Sequence, residues 1–217
     1  NKYESEIISM TGRMLGGKAR AGDAVRILPS GRQTRIARIV GFGGDLAEAA
    51  RGDSVMLTLE DEIDASRGDV ICAAAEPASV ADQFETTLVW MDDAAMLPGR
   101  PYLIKLGATT VGASFSQPKY AIDVNNFDKL AARTLELNGI GVVNVSLDRA
   151  VPFDAYADNR DMGGFIVIDR YSNQTVGAGL IHFALRRSQN IHWQAVDVDK
   201  QARVRQNGHR PCVLWLT

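Results

Sequence analysis

Short apolar runs separated by turn residues recur along the chain, and most of them show the two-residue period of a β-strand. In the first third, these runs lie at residues 25–28, 34–40, 55–59 and 70–73. Glycine, proline, serine or aspartate stands between them, which is typical of turns. The pattern predicts a small antiparallel β-barrel over residues 1–76.

A second strand-rich unit is predicted over residues 82–185, after a connector at residues 77–81 in a stretch of small residues and one proline. Residues 83–90 alternate, so that one face of the strand carries four of their side chains: Phe84, Thr86, Leu88 and Trp90. Further strands are predicted at residues 102–106, 109–115 and 142–147.

Two apolar runs, residues 165–168 and 175–181, flank a polar turn and predict an antiparallel hairpin. Gly177 and Gly179 lie two residues apart and therefore point to the same side of an extended chain. Glycine at these positions lets another backbone approach closely. The hairpin closes the second barrel, and the fold class is all-β, with two consecutive small antiparallel β-barrels.

One segment departs from the β pattern. Residues 125–138 predict a short helix, or a helical turn in a long loop, because Asn125 and Asp128 have the spacing of a capping box. Partial helical periodicity comes from Phe127, Leu130 and Leu137. Residues 186–217 are predicted to form a partly helical tail that ends in an apolar strand.

A glycine–aspartate pair precedes three of the predicted strands, at residues 22–23, 52–53 and 68–69. Glycine adopts positive φ readily, and the following aspartate can bond nearby backbone. Two copies contain Arg-Gly-Asp, which is also an adhesion motif when it is exposed on an extracellular loop. Because the same turn chemistry explains all three copies, we interpret them as strand-entry turns.

Polar residues concentrate just before the closing hairpin, at Asp158, Asn159, Arg160 and Asp161. A calcium loop would need a central glycine and a terminal glutamate at fixed spacing, which this segment lacks. Arg160 is expected to order the loop or to meet a partner domain. Together with His192 and Trp193, these residues are the candidate interdomain or partner contacts.

Composition is that of an ordinary globular protein, with 46% hydrophobic and 23% charged residues. The net charge of −2 offers no basic excess for a phosphate backbone, so nucleic acid is not expected as a partner. No apolar run is long enough to cross a membrane. The two cysteines, Cys72 and Cys212, lie far apart and are expected to be reduced, which indicates a cytoplasmic protein.

The residue patterns that carry catalysis are missing from the sequence. Gly12 to Lys18 brings glycines and a lysine together, but the spacing is not that of a phosphate loop, and Ala19 stands in place of a magnesium-binding hydroxyl. His182 falls in the closing strand and is expected to be packed and hydrogen-bonded rather than catalytic. We therefore expect no catalytic residue, bound cofactor or metal ligand in this chain.

Two longer strings are recognisable. Asn-Arg-Asp-Met-Gly-Gly-Phe-Ile-Val-Ile-Asp-Arg at residues 159–170, followed by Thr-Val-Gly-Ala-Gly at residues 175–179, resembles the last barrel of elongation-factor-Tu-type GTPases. More narrowly, it is similar to the large, GTP-hydrolysing subunit of bacterial sulfate adenylyltransferase (ATP sulfurylase). Asn-Ile-His-Trp-Gln-Ala at residues 190–195, with the Val-Leu-Trp-Leu-Thr of residues 213–217, resembles the beginning of adenylylsulfate kinase.

The resemblance implies that the chain holds the second and third domains of such a subunit, followed by a connector and the first strand of a kinase domain. The parent protein would use GTP, ATP and magnesium to make adenylylsulfate. Its partners would be a preceding GTPase domain, a separate small adenylyltransferase subunit and a following adenylylsulfate kinase domain. The barrels would couple these partners without catalysis of their own. The alternative is a tRNA- or ribosome-binding barrel pair of a translation factor GTPase.

Overall fold

The computed structural model describes residues 9–185. Its first eight strands occupy residues up to Ala73: β1 Ser9–Arg13, β2 Lys18–Arg20, β3 Ala24–Leu28, β4 Arg32–Gly41, β5 Gly44–Asp45, β6 Glu48–Ala50, β7 Ser54–Leu59 and β8 Val70–Ala73. The strands β1-β7-β4-β3-β8 pair in that order, β5 adds to β4, and β2 pairs with β6 as a separate ribbon. All of these pairs are antiparallel.

The remaining elements extend to Ala184: β9 Ser79–Trp90, β10 Pro101–Leu106, β11 Thr109–Phe115, β12 Tyr120–Ile122, β13 Lys129–Leu130, β14 Ile140–Phe153, α1 Arg160–Gly163, β15 Gly164–Asp169 and β16 Thr175–Ala184. Six of the strands form the ring β11-β10-β15-β16-β9-β14, which closes where β14 pairs with β11. The β12–β13 hairpin lies outside this ring, where β12 pairs with β14. The all-β, two-barrel fold class is therefore confirmed.

Each sheet encloses its own apolar cluster. In the first, Val25, Ile36 and Val55 pack together with buried residues of neighbouring strands. The second cluster is larger and contains all three apolar members of the face predicted for β9, while the fourth residue of that face, Thr86, is also fully buried. The period-two pattern of β9 thus identified the core side of that strand correctly.

The closing hairpin is present as predicted, with β15 antiparallel to β16. Gly177 and Gly179 stand opposite Trp90 and Leu88 of β9. A Cβ atom on Gly177 would lie 2.8 Å from the carbonyl oxygen of Val89, and one on Gly179 would overlap the ring of Phe165. Strand β16 fits between its two neighbours only because these two positions carry no side chain.

The three glycine–aspartate turns are confirmed in detail. The glycines have φ of 90° to 103°, in the region that favours glycine. Each aspartate carboxylate accepts the backbone N–H three residues earlier, as in Asp23 with Arg20 at 2.8 Å and Asp53 with Ala50 at 2.8 Å. In the third turn, the carboxylate of Asp69 accepts the N–H of Ser66 at 2.9 Å. Strands β3, β7 and β8 begin directly after these turns.

Of the two forms predicted for residues 125–138, the short helix is wrong, because the segment is a long loop that contains the two-residue strand β13. The residues that gave the helical periodicity are exposed, whereas Leu135, outside that set, is buried and accepts a backbone hydrogen bond from Met96 at 2.9 Å. The carboxylate of Asp123 accepts the N–H of Asn125 at 2.9 Å, which competes with a helix.

Two other boundaries differ from the sequence pattern. Residues 79–81, assigned to the connector, are the start of β9, where they pair with residues 151–153 of β14. A single helical turn, α1, occurs where only a polar loop was expected. The predicted tail at residues 186–217 lies outside the described residues.

The close packing around β16 gives a stability prediction. We expect Gly179→Ala to lower the free energy of unfolding by about 2 kcal/mol, because the added methyl group must displace the buried Phe165 ring. Urea unfolding followed by tryptophan fluorescence measures the change. Gly43→Ala is the control, since nothing lies within 4 Å of a Cβ at that position. Equal stability of the two variants would contradict this account of β16.

Candidate inter-barrel and partner-contact site

The polar segment before the closing hairpin is ordered by Asn159, the N-cap of α1. Its side-chain oxygen accepts the N–H of Asp161 at 3.2 Å, and its Nδ2 donates to Asp154 at 3.3 Å. Met162, one residue further along, is buried beneath the turn. A local capping contact therefore fixes the segment against the barrel.

This turn faces the first barrel. Asp161 Oδ2 lies 3.2 Å from Arg51 Nη2, and a Cβ on Gly16 would lie 3.8 Å from the side chain of Asn159. A second contact joins the barrels where Thr109 Oγ1 donates to the carbonyl of Gly68 at 3.2 Å. We call these six residues the inter-barrel seam. Its ion pair and its hydrogen bond are polar contacts.

The structure thus brings Asn159 and Asp161 together at the seam. Asp158 and Arg160 are exposed, and within residues 9–185 the side chain of Arg160 forms no ion pair. Asn159, rather than Arg160, orders the loop. His192 and Trp193 lie outside the described residues. The sequence did not predict a role for Arg51, because its partner Asp161 is 110 residues away and no local residue pattern indicates that contact.

Cys72 lies on β8 and is half-buried, and its Sγ donates to the carbonyl of Arg26 at 3.4 Å. Burial raises the pKa of the Cys72 thiol, while Arg26 opposes that rise and Asp154 adds to it. A raised thiol pKa lowers reactivity, which agrees with the expected packing role. Cys212 lies outside the described residues.

Four polar side chains meet on the outer face of the second barrel. Lys119 Nζ donates to Glu85 Oε2 at 2.5 Å, and the other carboxylate oxygen of Glu85 lies 3.3 Å from His182 Nδ1. His182 Nε2 lies 2.8 Å from Thr87 Oγ1. The hydrogen bond from Lys119 lowers the pKa of Glu85. The expectation of a hydrogen-bonded His182 is confirmed, and the cluster lies on an open sheet face.

A second ion pair ties the closing turn to the rest of the barrel. Arg100 Nη2 donates to Asp169 Oδ2 at 2.6 Å, and its guanidinium lies 5.5 Å from the ring centres of both Tyr102 and Tyr171. The other oxygen of Asp169 accepts the N–H groups of Tyr171 and Ser172, each at 2.9 Å. Asp169 therefore organises the β15–β16 turn.

Surface concavities are shallow. Within the described part of the chain, two open grooves lie on the second barrel, one beside Asp148 and Arg149 and one beside Lys105 and Ile166. In the same part, no group of three or more histidine, cysteine, aspartate or glutamate side chains is arranged to hold a metal ion. None of the helices described is both long and apolar enough to cross a membrane.

Comparison with known proteins shows what the chain is similar to. The family model described as GTP-eEF1A C-terminal domain-like matches residues 83–182. Over all 217 residues, the chain is 47% identical to the bifunctional enzyme CysN/CysC of Xylella fastidiosa. Over 186 residues, it is 44% identical to sulfate adenylyltransferase subunit 1 of Photobacterium profundum.

The chain spans only part of these relatives, 35% of the Xylella enzyme and 39% of the Photobacterium subunit. Among solved structures, Sup35 complexed with GDP matches with a TM-score of 0.75, at 17% identity. That match covers 86% of this chain and 46% of Sup35. At such low identity the likeness concerns the fold alone, and it agrees with the two-barrel architecture.

The seam gives a prediction about how the barrels are held together. In a double-mutant cycle of Arg51→Ala and Asp161→Ala, we expect a coupling energy of about 0.5 kcal/mol at low salt, because both side chains are largely exposed. At about 1 M salt the coupling should vanish. Urea unfolding measures it. A coupling that persisted in salt would contradict the solvent-screened geometry.

The Asp169 turn gives a pH prediction. The N–H of Ser172 lowers the pKa of Asp169 below its ordinary value of 3.8, against the opposing effect of burial, and Tyr171 and Arg100 add to the shift. The resulting stability is fully present above pH 3.8 and is lost as pH falls through the lower folded pKa.

We therefore expect Asp169→Asn to lower the urea midpoint at pH 7 and to approach the parent chain as pH falls below 3.8. The control is Asp45→Asn, at an ion pair whose two side chains are each 60% exposed, where the midpoint should change little at pH 7. A difference for Asp169→Asn that stays constant between pH 7 and pH 3 would contradict the proposed role of its charge.

Proposed function

We propose that this chain is a non-catalytic barrel module of the large subunit of sulfate adenylyltransferase, and that it couples a GTPase domain to the small catalytic subunit. One observation carries the proposal: identity of 47% and 43% extends over the whole chain in two bifunctional relatives. Identity of 44% continues through 186 residues in a relative named sulfate adenylyltransferase subunit 1. Such identity far exceeds the 17% shared with Sup35.

The outer surface of the second barrel supports a coupling role. Ile166, Ala178 and Val89 stand side by side across β15, β16 and β9, and Leu180 lies two residues along β16 on the same face. Ile166 is 38% exposed, although the outside of a barrel in water is normally polar. This apolar outer face suits a flat protein contact, which we assign to the GTPase domain.

In the parent protein, GTP hydrolysis would drive adenylyl transfer from ATP to sulfate, forming adenylylsulfate and pyrophosphate. The small subunit would perform that transfer. An adenylylsulfate kinase domain would follow residue 217 and phosphorylate the product. We propose that GTP, ATP and magnesium bind to those parts rather than to this chain. We also propose a cytoplasmic location, since two widely separated cysteines do not indicate a disulfide framework.

Translation-factor barrels are the second candidate, and the Sup35 likeness is the observation that favours them. The likeness concerns the fold alone at 17% identity. Binding of tRNA or ribosomal RNA would also call for a basic surface, whereas this chain has a net charge of −2. The sulfate adenylyltransferase module is therefore the function that we put forward.

Co-purification tests the proposal. We expect the small adenylyltransferase subunit of Xylella fastidiosa to bind the tagged 217-residue chain, more tightly when the preceding GTPase domain is also present. Isothermal calorimetry should show micromolar GTP binding only in the longer protein.

The barrels of Sup35 are the matched control, since they share the fold but little sequence. They should not retain the small subunit. Failure of the longer protein to retain it would overturn the coupling proposal. Micromolar GTP binding by the 217-residue chain would overturn the assignment of GTP to a separate domain.

A further inference from the structure

The loop between β12 and β13 holds an exposed aromatic side chain in an unusual backbone conformation. Phe127 is 79% exposed and has a φ of 62°, in the left-handed region that bulky residues rarely adopt. Backbone strain of this kind persists only where the surroundings enforce it. Val124 in the same loop and Leu130 in the adjoining strand β13 are also exposed, at 59% and 49%.

Hydrogen bonds within the loop enforce the conformation. The N–H of Phe127 donates to the carbonyl of Asp123 at 2.8 Å, and the N–H of Asp123 donates to the carbonyl of Asp128 at 3.0 Å. The side chain of Asn126 accepts the N–H of Asp128 at 3.1 Å and donates to the carboxylate of the same residue at 2.6 Å. The loop is therefore braced on both sides of the aromatic residue.

Bracing matters for binding because a loop backbone that is already ordered loses little conformational entropy in a complex. Rigid aromatic anchors surrounded by smaller apolar groups are typical of the residues that dominate protein interfaces. Phe42 offers a contrast. It is fully exposed and lies in the turn between β4 and β5, next to Gly43. The side-chain hydrogen bond of this hairpin joins Arg38 of β4 to Asp45 of β5, outside the turn itself.

Charge restricts the kind of partner. Asp123 and Asp128 flank the loop, and neither forms an ion pair with another residue in the range 9–185. The nearby Lys129 lies 4.6 Å from the ring centre of Tyr120, directed at that ring. Carboxylates that lack a cationic partner disfavour an anionic lipid surface and favour a pocket with arginine or lysine at its rim.

We propose that Phe127 is the anchor by which this chain binds the small adenylyltransferase subunit, entering an apolar pocket with a basic rim. This inference rests on the coupling function proposed above. The apolar outer face on β9, β15 and β16 is assigned to the GTPase domain, and the β12–β13 loop provides a separate contact outside the six-strand ring.

The test measures binding of the Xylella fastidiosa small subunit to the 217-residue chain, and to the longer protein with the GTPase domain, by calorimetry. Phe127→Asn removes the ring and suits the left-handed backbone, so the fold should be retained or stabilised. We expect at least a tenfold weaker affinity. Phe42→Asn removes an exposed aromatic from the first barrel and should change affinity less than twofold.

Asp128→Asn keeps an oxygen for Asn126 and should mainly slow association and reduce its salt dependence. Unchanged affinity of Phe127→Asn, with the parent chain binding normally, would overturn the inference and leave the coupling function intact. Absence of binding by both parent forms would overturn the coupling function and, with it, this inference. A further outcome would assign the loop to a different contact. In that outcome, Phe127→Asn leaves small-subunit affinity unchanged but abolishes either concentration-dependent dimers or binding to phosphatidylserine vesicles.

Discussion

The close approach of β16 to its two neighbours is the constraint on which the second barrel depends. This strand joins β9 to β15 in the ring. The carbonyl oxygen of Val89 leaves no room for a side chain at Gly177, and the ring of Phe165 leaves none at Gly179. With β16 in place, the apolar faces of six strands enclose one continuous cluster that includes Trp90 and Tyr102. Burial of that cluster then supplies the main stabilisation of the unit.

A closed and filled barrel leaves its loops and outer surface for function. The interior of the second barrel holds packed side chains, among them Phe84, Trp90 and Phe115, as expected for a ring of this size. The features open to a partner are therefore all peripheral: the apolar outer face, the polar cluster around Glu85, and the braced loop that carries Phe127. Such a distribution is typical of a rigid scaffold between other components.

The seam between the barrels has a different character from either core. Its contacts are one exposed ion pair, one threonine-to-carbonyl hydrogen bond and the capped turn at Asn159. Polar contacts of this kind fix orientation more than they contribute stability, because water competes for each group. The two apolar clusters are therefore separate from these contacts, one in each barrel.

Sequence alone determined most of the strands and the three strand-entry turns, because period-two alternation and glycine–aspartate chemistry act within a few residues. The string around the closing hairpin also carried the resemblance to the sulfate adenylyltransferase large subunit, to which the chain is 44% identical over 186 residues in one relative. Tertiary structure decided what depends on distant partners or on competing local bonds. Leu135 is buried because Met96 lies beside it, so the segment from Asn125 is a loop and not a helix. Likewise, Asp161 meets Arg51 across 110 residues of chain, a contact that only the folded arrangement of the two barrels creates.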